Sequence, residues 1–496
     1  MNPRQTQESY RGYYPDAELV LALVCPVGTA YRRVVEALQD YLGQFKYKTN
    51  VIHLSEFFED LLAQLDSTPT SPSNSRFEEA LNKIKSGNRI RELPGQDDIL
   101  ALVAASLIAN QRLERTNGEI EEEDEQWQPQ PLHRMVHIVV SLKRPEEVDT
   151  LRRIYGSGFF LIGVSASKEE REQYLAQRGI RDEADQLIET DASQSAEHGQ
   201  QTRETFHLAD VFTSMKDFQQ QIPRFLDLLF GCPSITPTVE EQAMFTAYGA
   251  SLRSGDLSRQ VGAAILDPHG DLLGVGCNEA PKVGGGLYGP EVGSKRDIEL
   301  GEDSNEMEKR QMAVRIMQAL GREETDFETA RKLLKPTGFL DITEFGRAVH
   351  AEMEALSACT RSGRSVRDAT LFTTTFPCHN CCRHIIGMGI RKVIYIEPYA
   401  KSKAPVLHKD EISIDREEPG KLPFLPFLGV GPRRYFDLFS LKLSTGYPVE
   451  RKQDGKLIAW QRSATTAPRL QLQPSSYLLR ELLAWKSLKN LLSKEG

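Results

Sequence analysis

The sequence predicts an α/β chain with two separate sheets, and three observations carry this expectation. From Glu18 onward, continuous apolar runs alternate with helical spacings, the pattern of a parallel sheet covered by helices. Gly231-Cys232-Pro233 followed by Pro237 interrupts that pattern near mid-chain and marks a boundary. Beyond it, a hairpin and further strands surround two short motifs, His350-Ala-Glu352 and Pro377-Cys378-His-Asn-Cys381, with the spacing of a metal site.

The elements of the first part follow in order. Residues 1–15 are polar and are expected to be a disordered tail. Leu19–Val24 reads as a strand, Val27-Gly28-Thr29-Ala30 as a turn, and Tyr31–Leu42 as a helix with Val34, Val35, Leu38 and Leu42 on one face. Asn50–Leu54 is the next strand. A strand, a Gly-bearing turn and a helix form the frame of a phosphate-binding loop, but G-x-x-x-x-G-K-[ST] is absent, so the loop is degenerate. Residues 118–131 form an acidic, Pro-bearing break that reads as a solvated loop. Met135–Ser141 and Phe159–Ser165 are buried-strand runs on either side of a helix at Pro145–Tyr155. Asp185–His207 is polar and reads as an exposed or lid-like segment. Phe218–Phe230 is a helix that closes this part.

The second part opens with a helix at Val239–Ser254. Strands at Val261–Leu266 and Asp271–Cys277 are joined by the turn Asp267-Pro-His-Gly270. Residues 278–347 hold a Gly-rich loop, Gly284–Gly286, and helical patterns near Met307–Leu320 and Phe327–Leu334. A helix start at Ala348–Ser357, a strand at Ala369–Thr375, a second helix at the cysteines and a strand at Lys392–Ile396 complete a ββαβαβ order. A last helix, Tyr477–Leu492, carries Leu478, Leu482, Trp485 and Leu492 as a stripe for core packing or subunit contact.

Composition limits the function. The chain has 496 residues, room for roughly two to four domains. Its 40% hydrophobic and 26% charged content is ordinary for a globular protein, and its net charge of −9 gives no basic footprint for nucleic acid. Seven cysteines, an odd number, do not suggest a disulfide framework and fit a reduced, cytoplasmic compartment. Leu19–Val27 is too short to cross a membrane and follows Asp16 and Glu18, so no membrane partner is expected.

The two motifs carry the chemistry. Zn²⁺ at a catalytic site takes three protein ligands and leaves a fourth position for water. His350, Cys378 and Cys381 supply such a set, and Glu352 is placed to move protons without binding the metal. A C-x-x-C alone also serves structural zinc knuckles and redox pairs, and an isolated H-x-E signals little. Both together, in this order, give the H-x-E…P-C-x-x-C pattern of zinc-dependent nucleobase deaminases. Cys382 lies four residues from Cys378 and leaves an ambiguity with Cys381, while His379 and His384 read as surface or supporting groups.

Further segments carry a resemblance. Ser258-Arg-Gln-Val-Gly-Ala263, Gly276-Cys-Asn-Glu-Ala-Pro281 and Gly389-Ile-Arg-Lys-Val-Ile-Tyr395 resemble the deoxycytidylate deaminase family around its zinc motif. Tyr395–Lys403 and Val430–Tyr435 resemble, more narrowly, the bacterial anti-phage dCTP deaminases, in which a kinase-like P-loop domain is fused to a deaminase. The resemblance spans about residues 16–440. It implies an α/β fold with an N-terminal P-loop-like parallel-sheet domain plus a C-terminal cytidine-deaminase-like α/β/α domain. The expected division is 1–15 tail, 16–232 degenerate P-loop NTPase/kinase-like regulatory domain, 238–415 zinc-dependent deaminase domain and 416–496 C-terminal extension. It further implies a hydrolase of C–N bonds in cyclic amidines that acts on free deoxycytidine nucleotides, dCTP or dCMP, in antiviral defence. Zn²⁺ is the expected cofactor and Glu352 the catalytic residue. Asn278 is expected at the sugar by resemblance, and Arg259 and Lys282 are candidate phosphate contacts by charge, beside a Gly-rich loop able to form an anion nest. A homo-oligomer and control by RNA, a nucleotide or a phage product belong to the same expectation. A polynucleotide base-editing deaminase and an RNA-regulated binding module stay open beside it.

Overall fold

The computed structural model describes residues 16–65, 73, 75–116, 130–192, 198–322, 325–342, 344–399, 401–470, 472 and 474–493. The expected tail and most of the acidic break, residues 117–129, lie outside them. The chain divides into two compact units, one of residues 1–237 with 428–496 and one of residues 238–427.

In the first unit, β1 (Leu19–Val24), β2 (Lys48–His53), β3 (Met135–Val140), β4 (Phe159–Ser165) and β5 (Val211–Ser214) form a parallel sheet in the order β5-β4-β1-β3-β2. All six residues of β1 and of β3 are buried, because helices cover both sheet faces and leave no polar side to alternate with. Helix α1 (Arg32–Gln44) follows β1 through a short turn and buries the face read from the sequence, Val34, Val35, Leu38 and Leu42. Two long helices, α2 (Arg76–Glu92) and α3 (Ile99–Thr116), occupy a stretch for which the sequence assigned no element. Helix α4 (Pro145–Tyr155) is tied to α2 by a buried ion pair, Arg91–Glu147 at 2.6 Å.

Helix α5 (Lys168–Gln177) comes next, and the segment expected to be exposed after it is not a lid. Helix α6 (Ala184–Ala192) buries Ala184, Leu187, Ile188 and Asp191, and a short helix at Thr202–Phe206 buries Thr202 and Thr205. Their buried polar residues, Asp191, Thr202 and Thr205, are held by internal hydrogen bonds, such as Asp191 to Lys143. Helix α7 (Phe218–Leu229) ends this stretch.

The second unit holds β6 (Gly262–Leu266), β7 (Leu272–Cys277), β8 (Thr370–Thr375), β9 (Lys392–Glu397), β10 (Ile412–Ile414) and β11 (Leu422–Pro426), in the order β10-β11-β9-β8-β6-β7. β6 is antiparallel to β7 and β8, and the rest pair in parallel. Because β11 pairs with β9, this unit runs to Phe427, past the boundary expected at 415. Helices α8 (Val239–Ser251), α9 (Ala351–Arg361) and α10 (His379–Gly387) flank the sheet. Ala263, Ile265, Ala355, Leu371, Phe376, Ile385, Val393 and Phe424 form the core, with Cys378 and Cys381 at its margin. The 278–347 insertion packs helices Ser304–Ala319 and Phe327–Leu334 around its own cluster of Ala313, Met317, Ala330 and Leu334.

Residues 428–496 return to the first unit. Gly429–Val430 adds an antiparallel strand beside β5, and helix α11 (Pro474–Leu492) packs along α3. Its buried line is Tyr477, Leu478, Glu481, Ala484 and Leu488, which shares only Leu478 with the expected stripe. No helix among the described residues is long and apolar enough to cross a membrane.

Candidate metal centre

Two helix starts build the site. The backbone of Val349 bridges Glu279 with hydrogen bonds in both directions, at 3.0 and 3.2 Å, and so fixes the residue before His350 to the end of the β7 segment. His350 is the N-cap of α9, with extended backbone angles, and Glu352 lies in the helix's first turn. Helix α9 lies close on β7: a Cβ on Gly276 would fall 2.2 Å from the Ala351 carbonyl oxygen. On the other side, β8 runs into Phe376-Pro377, and Cys378 caps α10, its sulfur accepting the Cys381 N–H at 3.4 Å. Capping places both sulfurs at the positive end of the helix.

The three ligand atoms of His350, Cys378 and Cys381 lie within 4.8 Å of one another. His350 Nδ1 is 3.2 Å from Cys378 Sγ and 3.4 Å from Cys381 Sγ. Zn–N and Zn–S bonds of about 2.1 and 2.3 Å set N···S edges of about 3.6 Å in a tetrahedron. Both N···S distances are within a few tenths of an ångström of that edge, and the set, one imidazole and two thiols, is one that zinc prefers. Zinc is the cofactor that this site holds. Glu352 is 4% exposed, and the Cys381 thiol donates to its Oε2 at 3.5 Å.

The local electrostatics follow from this crowding. The Cys381 hydrogen bond and the His350 imidazole outweigh burial and pull the Cys378 thiol down to about 4. Its bond to Cys378 pushes His350 up to about 9, against burial and helped by the Glu352 charge. Cys381 is raised well above the usual thiol range by the same sulfur contact and by burial. Burial raises Glu352, so this carboxyl holds a proton more readily than a surface one. Metal uptake must therefore release protons, as zinc binding generally does.

The Cys381/Cys382 ambiguity has a structural answer. Cys382 is fully buried, outside the ligand group, and burial pushes its thiol up to about 12. His379 faces Glu344 at 3.8 Å, and His384 is exposed.

The three expected substrate contacts differ in placement. Asn278 is buried and braces the loop before β6: its Oδ1 accepts the Val261 N–H at 2.7 Å and its Nδ2 donates to the Arg259 carbonyl at 2.8 Å. Arg259 is half-exposed. It reaches Glu397 at 3.2 Å and lies 5.6 Å over the Tyr399 ring. Glu397 also accepts from Thr375 at 3.1 Å, and its carbonyl accepts the Phe376 N–H, two residues before Cys378. The loop thus carries Arg259 to the segment that leads into the cysteines. Lys282 stands apart, exposed in the insertion and 3.8 Å from Glu291. Glu397 and Tyr399 lie in the Tyr395–Lys403 segment singled out in the sequence, but neither has a role legible there. A charged residue closing the apolar run of the strand Lys392–Ile396 was the available signal.

Residues 237–397 match the family model described as the cytidine and deoxycytidylate deaminase zinc-binding region. The deoxycytidylate deaminase of Enterobacteria phage T2 is 40% identical over 55 residues, 11% of this chain and 29% of that protein. ComE operon protein 2 of Bacillus subtilis (strain 168) is 35% identical over 91 residues, 16% of this chain and 48% of that protein. The chain thus spans less than half the length of these curated relatives. A crystal structure of a dCMP deaminase from cyanophage S-TIM5 in apo form aligns with 39% of this chain and 100% of its own, at 19% identity and a TM-score of 0.23. The matched segment contains all three metal donors and the buried glutamate, so the similarity to that zinc-binding region takes in the whole donor set.

Proposed function

We propose that the protein is a zinc-dependent hydrolytic deaminase that converts free deoxycytidine nucleotides, dCTP and dCMP, to the corresponding deoxyuridine nucleotides and ammonia. The observation that carries this reading is the convergence of His350, Cys378 and Cys381 beside the buried Glu352. Zinc held by the three donors would supply Lewis-acid activation of a water molecule. Glu352 does the proton work. Its carboxylate takes a proton from water, and its acid form, favoured by burial, protonates the ring nitrogen and then the leaving amine. Glu354, in the same turn, is engaged by Arg361 at 2.5 Å and takes no part.

A free nucleotide as substrate is supported by the charge of −9, by the phosphate-sized cation at Arg259 and by the names of the phage relatives. Within this reading Arg259 binds the phosphates beside Tyr399, Asn278 holds the loop that presents it and the sugar, and Lys282 adds charge from the insertion. The first unit is a regulatory, P-loop-like domain. The enzyme acts as a cytoplasmic homo-oligomer that depletes dCTP during phage infection, released by an RNA, a nucleotide or a phage product.

The test is direct. Purified protein is incubated separately with dCTP, dCMP, CTP, deoxycytidine and single-stranded DNA, and uracil products are followed by chromatography. dUTP and dUMP from the free nucleotides are expected. Uracil in DNA without action on free nucleotides would overturn the substrate class. In infected cells, dCTP should fall with the wild-type protein and stay level with Glu352→Ala.

A further inference from the structure

Pro377 is the last residue before the metal cysteines, and its backbone decides how Cys378 enters the site. A proline ring locks φ at about −65°, so ψ is the soft torsion left there. The peptide that follows is planar, so the direction of the Pro377 carbonyl sets the direction of the Cys378 N–H and Cα. The residue before it is anchored separately, since the Phe376 N–H donates to the Glu397 carbonyl at 2.7 Å. The ψ of Pro377 remains to be held.

Ser402 holds it. The Ser402 hydroxyl donates to the Pro377 carbonyl at 2.9 Å. Pro377 is buried and Ser402 is 9% exposed. Among the described residues no other donor reaches that carbonyl. Helical spacing would send the Cys381 N–H to it, four residues back, but that N–H goes to Cys378 Sγ instead, and the Cys382 N–H goes to the Cys378 carbonyl at 2.9 Å. Ser402 is itself fixed. Its N–H donates to the Tyr399 carbonyl at 3.0 Å, and its oxygen accepts the Ala404 N–H at 3.3 Å, at the head of a short helix, Ala404–Leu407. With the oxygen accepting from Ala404, its one hydrogen is left for Pro377. Ser402 lies 24 residues beyond Cys378 in the chain, in the Tyr395–Lys403 segment set apart in the sequence.

We propose that Ser402 is a positioning residue of the metal centre, its hydroxyl keeping the Cys378 sulfur beside the other two donors. Loss of the hydroxyl leaves a buried carbonyl without a donor, a costly state that the peptide relieves by turning toward another donor or water. Turning of the Pro377 peptide carries the Cys378 sulfur out of its 3.2 Å approach to His350 Nδ1. The zinc side of this inference rests on the metal centre alone; its consequence for turnover rests on the deaminase reading above.

The experiment uses the full chain loaded with zinc, and follows zinc release to EDTA by metal analysis of the protein over time. Ser413→Ala is the matched control: Ser413 is 3% exposed in the same unit, and its hydroxyl donates to the Arg416 carbonyl at 2.8 Å. Both alanine variants strip one donor from a backbone carbonyl, so both should lower the melting temperature. Ser402→Ala should release zinc about 10–100 times faster than wild type, the usual effect of removing a group that orients a ligand, while Ser413→Ala and Ser402→Thr, which keeps the hydroxyl, stay within about threefold. With Co²⁺ in place of zinc, the visible bands should shift in Ser402→Ala and match wild type in Ser413→Ala. With dCMP, Ser402→Ala should lower kcat by about tenfold and leave KM within about twofold. Should Ser402→Ala not fold, Ser402→Val beside Ser402→Thr carries the comparison, since the two differ by a methyl in place of the hydroxyl. Zinc release at the wild-type rate from the variant lacking the hydroxyl, or equal acceleration in Ser413→Ala, overturns the proposal. The expected release pattern in a wild-type protein that deaminates no deoxycytidine nucleotide supports the positioning role and removes the deaminase reading instead.

Discussion

Glu352 sits 4% exposed, 3.5 Å from a thiol, where burial favours its protonated form. Glu352→Gln keeps its shape and one acceptor oxygen but cannot exchange a proton. Zinc content and folding should be unchanged, and kcat for dCTP or dCMP should fall by about 10²–10⁴-fold. Turnover within a few-fold of wild type would end the proton-shuttle assignment. The cysteines give a second comparison. Cys378→Ala and Cys381→Ala remove a ligand atom, so each should lose zinc, activity and the stability that zinc binding adds. Cys382→Ala should keep full zinc and activity at a packing cost of about 1–2 kcal/mol. Metal analysis of the three purified variants separates them, and zinc loss in Cys382→Ala would reverse the ligand choice. The ligands were readable in the sequence because two short motifs, each local to one helix start, contain the whole donor set. Arg259 was readable only as a charge. Its partner Glu397 is 138 residues away, and nothing local to either residue records that pairing. Lys282 was likewise readable only as a charge beside a Gly-rich loop, and it lies exposed beside Glu291.

Elements were legible where burial imposes a period or a continuous apolar run. The runs at β1, β3 and β4 are buried on both faces, and α1 carries a clean stripe, so each appears in the sequence within two residues of its observed bounds. Helices α2 and α3 were not legible for opposite reasons. α2 is mostly polar and buries Ser86, Gly87 and Arg91 as well as Ile84 and Ile90. The first half of α3 is buried on all sides, from Ile99 to Ala105, and shows no stripe. Spacing also hides close approaches between elements. Gly276 permits β7 to touch the start of α9, where a Cβ would lie 2.2 Å from the Ala351 carbonyl and 2.5 Å from the Ala355 nitrogen. Gly276→Ala should push the His350 and Glu352 turn away from the cysteines, weaken zinc retention and cost about 1–3 kcal/mol by overpacking. Gly249→Ala is the matched control, since a Cβ there, in the last turn of α8, meets nothing within 4 Å. It should stabilise by about 0.5–1 kcal/mol, the helical preference for alanine. Zinc retained under a chelator, measured beside thermal stability, checks both. Equal behaviour of the two variants would remove the strand–helix contact as the cause.

At the scale of the whole chain, the second unit is inserted into the first, and residues 428–496 complete the fold that residues 16–237 begin. The closure is secured by charge in a dry place. Arg112 on α3 holds Glu18 at the head of β1 at 3.0 Å and also Glu481 on α11, all three side chains being 3% exposed or less. Around them His137 bonds Glu18 at 2.8 Å, and the Tyr477 hydroxyl donates to Glu18 at 2.9 Å. One guanidinium shared by two carboxylates leaves one of them short of a counter-ion. Burial, only partly offset by Arg112, pushes Glu481 up from 4.5 to about 7, whereas Glu18 is lowered, its burial outweighed by His137 and Arg112. The two have opposite signs. Glu18 adds stability above the ordinary glutamate range and loses it as pH falls below that range. Glu481 keeps its proton when folded, so its contribution is complete below about 4.5 and is lost as pH rises to about 7. Between those values Glu481 changes while Glu18 does not, and the Glu481 shift corresponds to about 3 kcal/mol. The melting temperature of the first unit should therefore fall between about pH 5 and pH 7.5. Glu481→Gln, neutral at every pH and still able to accept from Arg112, should flatten that slope and be the more stable protein at pH 7.5. A slope that persists unchanged in Glu481→Gln would place the titrating group elsewhere and leave the docking of α11 insensitive to this proton.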